Sequence, residues 1–317
     1  MTETLHPPTE AATDRAVLHT LAYFEVFAYP LDAEEVLRFS AFAENLTEVK
    51  AALKNLVETG VAFQFGQFFQ SKNDPSWVPR RLEQNQRAEQ FLPIAQRMGR
   101  FIGSFPFIRG VCVSGSLSKH CMKADSDIDF FMITQPGRLW LARTLLILFK
   151  KIFLFNSHKY FCVNYFLDTE HLEIEEKNRF TATETVTLLP IYGGEWYEAF
   201  CRENGWARTQ FAHFPVRPIT DVPSHRRSFF KRTVEWLLSG RLGAWLDEQA
   251  MQITLGFWRR KFKHLDAERF DIALKSRQYV SKHHPLHFQG RVLDAYETRT
   301  REMEARATKN QEPRTKN

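Results

Sequence analysis

The sequence predicts an α+β protein: a mixed sheet at its centre, a small unit of helices and a hairpin before it, and a helical unit after it. Two observations carry this. The runs Val111-Cys-Val113 and Ile128-Asp-Phe-Phe-Met-Ile133 are short, β-branched and aromatic, and read as buried strands. On either side of them, apolar residues recur at helical spacing. With 317 residues, 44% of them hydrophobic and 25% charged, the chain is long enough for two or three domains and a sizeable core.

Residues 1–11 form a polar, proline-containing tail, expected to be disordered. Leu18, Leu21, Ala22, Phe24 and Val26 mark a first helix that ends near Tyr29-Pro30. Asp32 caps a short second helix, and Asn45-Leu-Thr-Glu48 opens a third that stops at Gly60. Val61 to Phe69 alternates about Gly66 and reads as a hairpin. Over residues 12–78 this order resembles a winged helix-turn-helix domain. The resemblance implies DNA binding, but the residues argue against it. The third helix balances Lys50 and Lys54 against Glu48 and Glu58, and the hairpin carries no cation to meet phosphate. Specific DNA binding is not expected; a packing role or a protein partner is.

Residues 79–195 make the core with its leading helix. Arg80 to Phe101 is one long helix, with Leu82, Ala88, Phe91, Leu92, Ile94, Ala95 and Met98 on its inner side. After the strand at Val111, Gly115-Ser116 opens a short turn of helix, where glycine admits a ligand close to the backbone and free N–H groups favour phosphate. Asp127 and Asp129 follow eleven and thirteen positions after Ser116. On a strand, positions i and i+2 face one way, roughly 6–7 Å apart. Carboxylates so placed converge on a pair of divalent cations.

This segment resembles the DNA polymerase β-like nucleotidyltransferase superfamily: hydrophobic strand, Gly-Ser, a spacer, then Asp-hydrophobic-Asp-hydrophobic, here Val113, Gly115-Ser116 and Asp127-Ile128-Asp129-Phe130. The resemblance covers about thirty residues strongly. It implies a nucleotidyltransferase core in which Asp127 and Asp129 hold two Mg²⁺ and Gly115-Ser116 holds the triphosphate of an NTP. Lys119 or Lys123 would touch its outer phosphates. The chain departs from the family at the third acid. On the strand Lys159 to Asp168, Asn164 stands where that acid is expected, Asp168 shares its parity, and Glu184 on a following helix is a third option. The expected set is Asp127, Asp129 and Asp168 as catalytic groups, with Gly115, Ser116, Lys119 and Asn164 binding nucleotide.

Residues 196–304 read as a helical domain, with helices over Phe229–Leu238, Leu242–Phe257, Phe270–Ser281 and Phe288–Arg301, and with Trp236, Trp245 and Trp258 as core. Residues 305–317 read as a disordered tail. Residues 201–290 carry a charge of +8 out of a net +6. Their clusters Arg226-Arg227, Lys231-Arg232 and Arg259-Arg260-Lys261-Phe-Lys263 favour polyanions, nucleotide and RNA included. His283-His284-Pro-Leu-His287 is the one histidine cluster and reads as a loop, since no ligand at metal spacing accompanies it. Cys112, Cys121, Cys162 and Cys201 are scattered, which points to reduced thiols in a cytoplasmic protein. The longest apolar stretch, Leu139 to Phe155, is broken by Arg143 and Lys150-Lys151 and reads as a buried helix, with no membrane span expected.

Two functions follow as expectations. The first is Mg²⁺-dependent transfer of a nucleoside monophosphate from an NTP to a hydroxyl of a small molecule or protein. The second is a weak or inactive nucleotide-binding regulator that acts through residues 12–78.

Overall fold

The structure, a computed structural model, describes residues 10–41, 43, 45–155, 159–225, 228–266, 270–271, 273–283 and 288–311. The chain begins with α1 (Glu10–Glu25), α2 (Ala33–Phe39), α3 (Leu46–Glu58) and a hairpin of β1 (Phe63–Phe65) and β2 (Phe68–Gln70). Local chemistry sets these ends. Asp32 accepts from the Glu35 amide while Glu35 accepts from that of Asp32, a reciprocal cap on α2. Asn45 accepts from the Glu48 amide at the head of α3.

The long helix α4 (Trp77–Gly103) leads into the sheet. Then come β3 (Ile108–Val113), α5 (Gly115–Ser118), β4 (Asp129–Thr134), α6 (Leu139–Phe153), β5 (Cys162–Asp168), α7 (Arg179–Thr187), β6 (Leu189–Tyr192), α8 (Gly194–Glu203) and α9 (Gly205–Gln210). They are followed by α10 (Phe229–Leu237), α11 (Arg241–Lys261), β7 (Ser276–Arg277), β8 (Val280–Lys282) and α12 (Phe288–Gln311).

The six strands lie in the order β6-β3-β4-β5-β8-β7, with β4 and β5 parallel and every other neighbouring pair antiparallel. Alternation divides the sheet's two faces. Val111, Val113, Phe130, Met132 and Phe166 pack with α4, α6 and α11, while Cys112, Phe131, Ile133 and Leu167 pack with α8. Phe130, Met132 and Ile133 are fully buried, and each such side chain contributes about 2 kcal/mol on leaving water. Helix α4 lies so close to β6 that a Cβ on Gly103 would stand 2.6 Å from the Tyr192 ring.

A separate core joins α1, α2 and α3 to α7, α9 and α12. Tyr23 meets Tyr296 edge-on, and Glu304 on α12 pairs with Arg15 and lies 3.0 Å from His19 Nε2 on α1. The last helix therefore packs on the first.

Several expectations need correction. The stretch 270–281 holds β7 and β8, which extend the central sheet past β5, so residues 196–304 are not purely helical. Helix continues through residues 305–311, where a disordered tail was expected, because α12 packs along α1. Residues 10 and 11 likewise belong to α1; residues 1–9 and 312–317 lie outside the described residues. Leu82 faces solvent. Trp258 is core, but Trp236 and Trp245 are exposed. Lys231 is fully buried, so it is no part of a cationic surface. Arg226-Arg227 and the histidines at 284 and 287 lie outside the described residues. None of the four cysteines forms a disulfide. No described helix is long and apolar enough to cross a membrane.

Candidate functional site

The Gly-Ser turn and the Asp-x-Asp segment meet because β3 and β4 are antiparallel neighbours. The Ser114 amide donates to the Asp129 carbonyl at 2.9 Å, which sets the end of β3 beside the head of β4. Gly115 follows with φ +66°, and a Cβ there would stand 2.5 Å from the Asp129 carboxylate. Only glycine allows this approach in this backbone conformation. Asp127 precedes the strand, held by the Ile128 amide donating to Lys159 O at 2.9 Å. Both aspartates are half-buried.

Asn164 owes its position to a β-bulge. The β4–β5 ladder shifts by one residue between Phe130 and Phe131, and Asn164 is the extra residue. Its amide nitrogen donates to Asp129 Oδ1 at 2.8 Å. The same bulge overturns the expected role of Asp168. Beyond it the parity of β5 inverts, so Asp168 pairs with Thr134 and shares a face with Phe166, away from Asp129. It also stands at the far end of the ladder, roughly 16 Å along the strand at about 3.3 Å per residue. Its carboxylate accepts from the Glu170 amide at 3.0 Å and lies 2.8 Å from His171 Nδ1. It is a loop cap and is not near the other aspartates.

The acid that does join them is Glu184 on α7. Lys119 Nζ ties it to the turn, 2.7 Å from Glu184 Oε1 and 2.8 Å from Gly115 O. Lys119 is thus committed to a carboxylate, while Lys123 is exposed at the rim. Burial drives the Asp129 carboxyl up to about 6; Glu184 and Asp127 push the same way, against a bond from Cys162 and the charge of Lys119. Burial, with these aspartates adding to it, also lifts the Cys162 thiol to about 12, so it stays protonated.

Gly115, Ser116, Asp127, Asp129, Asn164 and Glu184 line one wall of a cavity of about 760 Å³. The opposite wall comes from the N-terminal unit, with Tyr29, Arg38 and Phe39, and from Arg217. Arg217 donates to Ser118 O at 3.3 Å and lies over the Phe214 ring. Among the described residues it has no carboxylate partner, and burial, with Arg38 adding to it, pulls it below the usual guanidinium range. These wall residues were not anticipated from sequence. A signal existed for one: in Phe214-Pro-Val-Arg217-Pro218 two prolines stiffen a loop that presents a lone cation.

Two carboxylates with a third close by suit a hard cation. Among the described residues, however, no group of three or more His, Cys, Asp or Glu is arranged to hold a metal ion by itself. No known protein-family model, curated protein or solved structure matches the chain.

Proposed function

We propose that the chain is a Mg²⁺-dependent nucleotidyltransferase that moves a nucleoside monophosphate from an NTP to a hydroxyl of an acceptor held against its N-terminal unit. The observation that carries this is the contact of Gly115 with Asp129 at the wall of a large cavity. It puts a glycine turn, which suits phosphate, against a carboxylate pair, which suits metal. Asp127 and Asp129 would hold the ion. The donor set fits, because Mg²⁺ usually takes one or two carboxylates and completes its shell with water and substrate phosphates. The ion would lower the pKa of the acceptor hydroxyl and neutralise charge on the leaving pyrophosphate.

The chain's own groups divide the remaining work. Asn164 fixes one oxygen of Asp129, leaving the other toward Gly115. Glu184 is the acid placed to receive the acceptor's proton, once Lys119 turns from it toward phosphate. Arg217 and Arg38 supply positive charge on the acceptor side, and Phe39 and Tyr29 supply apolar surface. Of the winged-helix-like unit, α1, α2 and the segment between them serve as the cavity wall.

One observation favours a second reading, a nucleotide-binding regulator without turnover. Asn164 stands at the third-acid position, and Lys119 neutralises Glu184. Pyrophosphate release and label transfer from each of the four NTPs with Mg²⁺, self-modification included, separate the two. Binding without release supports the regulator; neither binding nor release sinks both.

A further inference from the structure

Helix α10 is built inside out. Two of its three charged residues point inward: Lys231 is fully buried, its ammonium donating to Gly103 O at 2.8 Å and Ile108 O at 2.6 Å. Glu235, also buried, accepts from the Phe107 amide and from Arg109, each at 2.7 Å. The outward face carries Phe229, Phe230, Trp236 and Leu237, exposed by 86%, 68%, 74% and 59%. Helix α11 continues the theme. Leu242, Trp245, Ile253 and Phe257 are all exposed and fall on one stripe at helical spacing, opposite buried Trp258. The corner between the helices is rigid, because Arg138 binds the carbonyls of Leu238, Ser239 and Gly240.

A face of this kind on a folded chain marks an interaction site, and its charge selects the partner. The charged residues of α10 and α11 that are not buried are Arg232, Arg241, Arg259, Arg260 and Lys261, against the single acid Glu248. Arg260 extends the α11 stripe by one turn. A second copy would bring these cations against their own images and gain no countercharge. An anionic bilayer surface supplies the countercharge and takes Trp and Phe at its headgroup boundary. We infer that α10 and α11 form a peripheral docking face for membranes rich in anionic lipid. Each of those cations adds on the order of fivefold to the affinity near such a surface.

The test uses the full chain and two vesicle preparations, phosphatidylcholine alone and phosphatidylcholine with phosphatidylglycerol. Co-sedimentation is expected with the second, to weaken as salt rises, and to be accompanied by a blue shift of tryptophan emission that Trp236→Phe reduces. Phe229→Ser with Trp236→Ser, and separately Arg259→Glu with Arg260→Glu, should each lower vesicle binding about tenfold or more with melting unchanged. The charge-reversal pair leaves the apolar face intact, so it remains informative if the serine variant folds poorly. No binding, equal binding to both vesicles, or binding untouched by the charge reversal overturns the inference. So does a lipid-free dimer in sedimentation that the serine variant makes monomeric.

Discussion

β4 and β5 carry an aspartate at each end of their shared ladder, and the two are held in opposite ways. Asp168 is almost wholly buried, yet its own loop satisfies it through the Glu170 amide and His171. Asp129 is more open, yet its carboxyl is pushed up to about 6, by burial first and then by Glu184 and Asp127. Exposure alone therefore does not tell how a carboxylate is held. What separates the two is their surroundings: Asp168 is closed in by its own loop, while Asp129 faces a cavity with two other acids near it.

Four measurements sharpen or break that contrast. The largest effect belongs to Asp127→Asn with Asp129→Asn. Mg²⁺-dependent thermal stabilisation by NTP should vanish and turnover should fall by about 10²-fold or more, with the fold kept; an unchanged thermal shift would put the site elsewhere. Next is Asp168→Ala, which removes a buried cap and should cost about 1–3 kcal/mol of stability by denaturant titration, with turnover per folded molecule intact. If turnover drops as well, the two ends are not different in kind.

The third measurement is a pH titration of stability without divalent metal. Asp129 holds its proton in the folded chain over a window, from pH 3.8 to about 6, in which the unfolded chain has lost it. Its contribution is thus most favourable below that window and declines as pH rises through it. Asp129→Asn should abolish the decline, a gain of about 3 kcal/mol at pH 8 relative to wild type. Mg²⁺ should flatten the wild-type curve and leave the variant's alone. The smallest effect is that of Asn164→Asp. A third carboxylate beside Asp129 should lower metal-free melting slightly and steepen its dependence on Mg²⁺. Melting that rises in the absence of metal would contradict the picture of crowded acids.

Much of this was legible in the chain, and the failures share a cause. The motif spacing brought the Gly115-Ser116 turn and the two aspartates to one site, and the caps at Asp32 and Asn45, the hairpin about Gly66 and the strands at 111 and 128 all follow from neighbours in sequence. The bulge at Asn164 does not: it is a property of how β5 lies against β4, and one extra residue turned Asp168 to the wrong face. β7 and β8 are two and three residues long, too short to read from pattern, and it is the pairing of β8 with β5 that joins them to the sheet. Helix α10 defeats the pattern argument itself, since its buried face is charged and its open face aromatic. The far wall of the cavity is assembled from distant segments, which no local window contains.

The packing of α12 along α1 carries a consequence of order in time. The N-terminal unit walls the cavity, and part of that unit's own core comes from the last helix, through Val292 and Met303. A chain emerging from the ribosome therefore holds both aspartates and the glycine turn long before that wall is braced. The chamber is complete only once α12 has been made and folds back onto α1, so a product truncated before α12 would carry the acids without the finished chamber.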